Sequence, residues 1–207
     1  GSSSFYLEMG DKLSEAEKRE LVETIENDAN WLLNMVENLL TVTRIRNDSA
    51  SVNKSLEPVE EVMSEAVFRL KKRIPDANIR VLLPEEFVMI PMDATLIEQV
   101  LVNLMENAVF HAGSTEPIEC RAEIGRDTVT FFVTDQGVGI DEDKLETIFD
   151  GTGQTENSSA DGHKGMGIGL SICKTIIVAH GGTISARNLE RGAQFGFTLP
   201  RGEANED

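Results

Sequence analysis

Three short stretches decide how this chain folds: Asn103-Leu-Met-Glu106-Asn107-Ala108, Asp135-Gln-Gly137-Val-Gly139-Ile140, and Gly165-Met-Gly167-Ile-Gly169-Leu170. The first lies on a run with helical periodicity. At about 100° per residue, Ile97, Val100, Leu101, Leu104 and Ala108 gather on one face, while Asn103, Glu106, Asn107 and Phe110 gather on another, giving a core side and a working side. The second follows an alternating run, Val129 to Thr134, that reads as a strand. The third follows a polar stretch and runs into an apolar helix, expected over Leu170 to His180 and ended by Gly181-Gly182.

Those residue types are what a nucleotide pocket requires. A helix-borne asparagine offers a carbonyl oxygen to a hard ion such as Mg2+, which prefers oxygen ligands. A carboxylate accepts a hydrogen bond from an exocyclic amine such as that of adenine, and glycines let backbone N–H groups approach phosphate oxygens. The glycines form neither a P-loop nor the Rossmann pattern. Gly165, Gly167 and Gly169 alternate, so phosphates would sit at a helix N-terminus among unpaired N–H groups. Each piece taken singly has a plainer reading: a flexible turn, a strand-end carboxylate, helix-packing amides. The order of the three is what favours the pocket, with Ile140, Leu104 and Ile168 as apolar walls.

Outward from these stretches the chain alternates helices and strands. Asp93 is placed to cap the helix from Ala94 to about Ala112. Before it, Val59 to Arg73 reads as an amphipathic helix barred from continuing by Pro75, and Ile79 to Leu83 and Phe87 to Ile90 read as strands. Ile118 to Ile124 and Val129 to Thr134 pair about Gly125-Arg126-Asp127, and Thr183 to Ala186 and Gln194 to Leu199 close the domain. The polar stretch from Asp150 to Lys164 has the character of a lid or a disordered segment.

Upstream, Ser14-Glu15-Ala16-Glu17 has the form of a helix-starting capping box. Val22, Ile25, Ala29, Leu32, Val36, Leu39 and Thr43 then recur at spacings of three and four, a heptad seam that Leu21, Leu33 and Leu40 widen. This favours a dimer-forming bundle helix over one packed on its own domain. Residues 47–57 are polar and form the expected joint, so the chain divides into a helical region at 1–46, a linker at 47–57 and a domain at 58–207.

The 207 residues include 19 Lys and Arg against 36 Asp and Glu, a formal charge of −17, so the counterion-release attraction that drives nucleic-acid binding is absent overall. No stretch reaches the roughly 18 apolar residues of a membrane span, and the chain reads as soluble and cytoplasmic. Cys120 and Cys173, without CxxC spacing, read as two buried reduced thiols.

The three stretches, in this order, resemble the N, G1 and G2 boxes of the Bergerat-fold ATPases, the superfamily of sensor histidine kinases, type II topoisomerases, Hsp90 and MutL. The bundle helix ahead of them is similar to the arrangement of the histidine-kinase branch. Within it, the run Met92 to Val109, Ile148-Phe149-Asp150 and Gly181-Gly-Thr-Ile resemble the KdpD subfamily of potassium- and turgor-responsive kinases. The resemblance implies an α+β fold, a mixed sheet covered by helices, and ATP with Mg2+ as cofactors. It implies Asn107 as the Mg2+ ligand, Asn103 as a triphosphate or Mg2+ contact, Asp135 as the adenine reader and Glu106 as general base. Gly137, Gly139, Gly165, Gly167, Gly169 and Leu170 complete the nucleotide site, and residues 150–164 form the ATP lid.

Two departures stand out. Phe110-His111 occupies the place where such kinases often carry Lys, so that phosphate contact is either lost or supplied by Lys164. Of the three histidines, His111, His163 and His180, none lies in the His-Glu/Asp-x-x-x-Pro setting of a phosphoacceptor. The resemblance then implies a piece of a larger, membrane-anchored sensor, dimeric through the leading helix, whose partner is a response-regulator receiver domain. Rival readings are another ATPase of the superfamily, such as an anti-sigma serine kinase or a MutL-like protein, and a nucleotide-independent scaffold.

Overall fold

In the computed structural model the chain forms two compact units, Gly1–Thr43 and Arg44–Asp207. The described residues are 13–26, 29, 32, 36, 52–150 and 166–202. The leading helix begins as its capping box dictates: the Ser14 Oγ accepts from the Glu17 N–H at 3.3 Å and the Glu17 carboxylate accepts from the Ser14 N–H at 2.8 Å. Of the heptad seam, Val22, Leu32 and Val36 stand about half exposed on the single chain; Leu33, Leu39, Leu40 and Thr43 lie outside the described residues.

The second unit runs β1 (Ser55–Pro58), α1 (Val59–Arg73), β2 (Ile79–Leu82), β3 (Met89–Met92), α2 (Ala94–His111), β4 (Ile118–Ile124), β5 (Thr128–Thr134), the single turn α3 (Glu142–Leu145), α4 (Met166–Ala179), β6 (Thr183–Asn188) and β7 (Ala193–Pro200). Five strands form one mixed sheet in the order β2-β4-β5-β7-β6, with β2 and β4 parallel and the other neighbours antiparallel. β1 and β3 pair separately. This is the expected α+β sandwich of a mixed sheet covered by helices. β1 is a difference: a strand begins inside the stretch read as a joint. Leu56 faces Pro91 across the pair, where a proline is tolerated because the two-stranded ribbon is all edge. β3 starts two residues later than expected, and α4 begins earlier, taking Gly167 and Gly169 into the helix.

Alternation puts Val129, Phe131 and Val133 of β5 and Phe195, Phe197 and Leu199 of β7 on the buried face, where the Phe131 and Phe197 rings stack at 4.7 Å. On the opposite face Arg121 lies 4.4 Å over the Phe132 ring. α1 has Glu60 and Glu61 in its first turn and Lys71, Lys72 and Arg73 in its last, matching the helix dipole, and it ends at Arg73 ahead of Pro75. α2 is capped by Asp93, whose carboxylate accepts from the Leu96 N–H at 3.2 Å. The core side read from the sequence is fully buried, and so are Val102 and Met105, because α1 and α4 flank α2 on both sides. Cys120 and Cys173 are both free and buried, and burial pushes each thiol up to about 12.

His180 joins the far ends of the two site helices. Its ring is 1% exposed; Nε2 accepts from the Asp93 N–H at 3.0 Å and Nδ1 meets the Ile176 carbonyl at 2.8 Å, which requires a neutral ring protonated at Nδ1. Lys54 donates to the His180 carbonyl at 2.9 Å. His180 is thus a buried strut between the start of α2 and the end of α4. Burial pushes the imidazole below its ordinary value of 6.5, and the Lys54 charge adds to this against the Ile176 bond and Asp93. The unfolded chain therefore binds the proton more readily. Stability should rise with pH from the lowered folded value up to about 6.5 and be lost as pH falls through that window. Urea unfolding from pH 5 to 8, with His180→Asn as reference, should show this slope in wild type and a flatter one in the variant.

Candidate functional site

The candidate residues lie in two adjoining places: the loop after β5, which packs on the β6–β7 turn and on Ala112 at the end of α2, and the face of α2 that meets the start of α4. Asp135 leaves β5 as a buried carboxylate, 5% exposed. Its Oδ1 accepts from the Gly137 N–H at 2.9 Å and the Ala193 N–H at 3.2 Å, and its own N–H donates to the Ala193 carbonyl at 3.0 Å. Oδ2 receives no hydrogen bond from a described residue. One carboxylate oxygen is thus locked while the other keeps its acceptor capacity, the arrangement a ligand amine needs.

The loop after Asp135 is held against the end of α2. The Ala112 carbonyl accepts from the Val138 N–H at 3.1 Å, and a Cβ placed on Gly137 would lie 2.0 Å from that oxygen. Glycine at 137 is therefore required by backbone packing. Gly139 has φ +78°, and the Asn188 side chain bonds the backbone of Ile140. Gly192, with φ +81°, abuts Asp135, where a Cβ would stand 2.1 Å from the Asp135 carbonyl oxygen.

On α2, Asn103 faces α4: a Cβ on Gly169 would be 3.9 Å from the Asn103 Cγ, so the first and third stretches come together. The Asn103 Nδ2 is buried with no hydrogen-bond partner, beside the Cys173 thiol, a poor acceptor. Such an orphan costs about 1–3 kcal/mol and suits a phosphate oxygen. Asn107 is half-buried and its side chain makes no hydrogen bond to another described residue, leaving the amide oxygen available to a hard cation. The residues present fit Mg·ATP on these observations. Glu106 is engaged: Arg73 of α1 donates to its Oε1 at 2.9 Å. Burial pushes this carboxyl up, with Arg73 opposing. Leu170 is 2% exposed, its side chain in the core, so any share in a ligand site falls to its backbone. Leu104 is likewise fully buried in the core, which removes it from the expected apolar wall.

Lys164 and Gly165 lie outside the described residues, as do residues 151–164 of the expected lid, with His163, and the side chain of Ile168. The near end of that segment is anchored: Phe149 packs edge-on to Phe195 at 6.2 Å, and Asp150 pairs with Lys174 at 2.7 Å. Sequence reasoning missed Arg73, Asn188, Gly192 and the Ala193 backbone. No local signal marks them, because each meets its partner across a long stretch of chain.

Residues 92–203 match the family described as histidine kinase-, DNA gyrase B-, and HSP90-like ATPase. The chain belongs to this ATPase family. The sensor protein KdpD of Clostridium acetobutylicum is 40% identical over 202 residues, 97% of this chain and 22% of that protein. The chain thus spans about a fifth of that relative's length. The histidine kinase AdeS of Acinetobacter baumannii shares the fold, with a TM-score of 0.72 at 23% identity over 98% of this chain and 93% of that one. The histidine kinase ThkA, solved in complex with the response regulator protein TrrA, shares it with a TM-score of 0.68 at 23% identity, covering 97% of this chain and 56% of that one. Within the family the ATPase domain here is similar to that of the KdpD sensor proteins, the branch the sequence reading favoured over other members of the superfamily.

Proposed function

We propose that the chain is the ATP-binding catalytic region of a sensor kinase that moves the γ-phosphoryl of ATP to a histidine and then to a response-regulator aspartate. The observation that carries this reading is the buried Asp135, locked through Oδ1 and open at Oδ2, on a loop held against the helix of Asn103 and Asn107. Asp135 accepts the adenine amine. The Gly137 and Gly139 loop shapes the base end, while Lys164, Gly165, Gly167, Gly169 and the Leu170 backbone line the phosphates at the start of α4. Asn107 holds Mg2+ through its carbonyl oxygen, with Asn103 donating to the triphosphate; the ion neutralises phosphate charge. Glu106, its carboxylate directed by Arg73, acts as general base toward the incoming imidazole.

Residues 1–46 then form part of the dimerising and histidine-bearing region, joined by 47–57 to the ATP-binding domain at 58–207, in a potassium-responsive parent anchored in the membrane with this part in the cytoplasm. Among the described residues no helix is long and apolar enough to cross a membrane. The half-exposed Val22, Leu32 and Val36 support a homodimer through the leading helix, since a long apolar stripe is seldom left open. The pairing of ThkA with TrrA supports a receiver domain as partner.

Calorimetry of the 207-residue chain with Mg·ATP should give a binding isotherm, and [γ-32P]ATP should leave no stable label on His111, His163 or His180. No heat at high protein concentration would favour a nucleotide-independent scaffold. Label on one of those histidines would overturn an acceptor lying elsewhere. Light scattering that finds only monomer at tens of micromolar would remove the dimer.

A further inference from the structure

The loop that follows Asp135 is held at three points by three different elements. Gly137 donates to Asp135 itself, Val138 donates to Ala112 at the end of α2, and Ile140 is held by Asn188 at the end of β6. The last hold is two-sided: the Asn188 Nδ2 donates to the Ile140 carbonyl at 2.7 Å and its Oδ1 accepts from the Ile140 N–H at 2.8 Å. The regular pairing of β5 with β7 stops at Thr134 and Gln194. Beyond that point the Asn188 amide does for Ile140 what a neighbouring strand does for a residue in the sheet. It also lies against the loop, since a Cβ on Gly139 would be 2.9 Å from its Oδ1. The same turn carries Gly192, packed on the Asp135 carbonyl, and Ala193, which donates to the Asp135 carboxylate.

We propose that Asn188 is a positioning residue for the nucleotide site: by gripping both backbone groups of Ile140 it fixes the loop of residues 136–140, and so the direction in which Asp135 presents its open oxygen to the base. Asn188 touches no ligand in this role and acts through Ile140. The proposal rests on the reading of Asp135 as the adenine reader. Because Asn188 is exposed, water replaces its two hydrogen bonds when the side chain is removed, so the loss falls on loop position and not on the core.

The test compares wild type, N188A and N188D in the 207-residue chain by calorimetry with Mg·ATP, by competition with Mg·GTP, and by thermal melting. N188A should bind Mg·ATP about three- to tenfold more weakly, with the preference for ATP over GTP narrowed and the melting temperature of the free protein held. N188D keeps an acceptor for the Ile140 N–H but loses the donor, and should fall between the two. The proposal is overturned if N188A binds Mg·ATP as wild type does, or if it weakens both nucleotides equally together with a fall in melting temperature, the mark of a merely structural role. If wild type itself gives no heat with Mg·ATP, the proposed function fails and this inference with it.

Discussion

Asp135→Asn should lower the affinity for Mg·ATP about a hundredfold, on the order of 3 kcal/mol, while leaving the fold intact. The asparagine carbonyl can keep the place of Oδ1, accepting from the Gly137 and Ala193 N–H groups as the carboxylate does at 2.9 and 3.2 Å. What changes is the open side, where an acceptor becomes an NH2 donor facing the donor amine of adenine. Two donors opposed across a buried contact leave both unsatisfied and lose the charge-assisted bond as well. Asp135→Ala would mix this effect with two stranded backbone N–H groups, so the isosteric change is the cleaner test. Calorimetry gives the affinity and circular dichroism the fold. Wild-type affinity in the variant would remove Asp135 as the base reader.

Gly137→Ala should be the most damaging small change in the site. The added Cβ would lie 2.0 Å from the Ala112 carbonyl oxygen and 2.4 Å from its Cα, and both belong to backbone that cannot swing aside. Either the loop lifts, breaking the Val138 N–H bond to Ala112, or the end of α2 moves. The expected loss is about 3 kcal/mol, a fall of roughly 6–12 °C in melting temperature for a domain of this size, with nucleotide binding lost beside it. Gly113→Ala is the control. Gly113 also has a left-handed backbone, φ +60°, but a Cβ there meets nothing within 4 Å, so only the strain of about 1 kcal/mol should appear. Equal melting of the two variants would show that packing against Ala112 is not what 137 demands.

The sequence by itself determined the elements and the order of the site. Period-two runs fixed the inward residues of β4, β5 and β7, and the two-faced helix at 94–112 came out as read, with Ile97, Val100, Leu101, Leu104 and Ala108 all in the core. The capping box at Ser14 and Glu17 formed as written. Such features are local: their partners lie three or four residues away on a helix, or alternate along a strand, so the pattern is legible in a short window. The three stretches also announced the ATPase family.

Tertiary structure alone decided what holds that site. Nothing near Glu106 in sequence foretells Arg73, 33 residues away, and nothing near Ile140 foretells Asn188, 48 residues away. The reason for the glycine at 137 changed in the same way, from room for a ligand to room for the Ala112 carbonyl. Leu104 left the expected pocket wall and His180 became a buried strut for the same cause. Whether a side chain meets ligand, core or backbone depends on which elements stack against it, and that stacking is set by burial of the whole apolar surface and not by any window of neighbours.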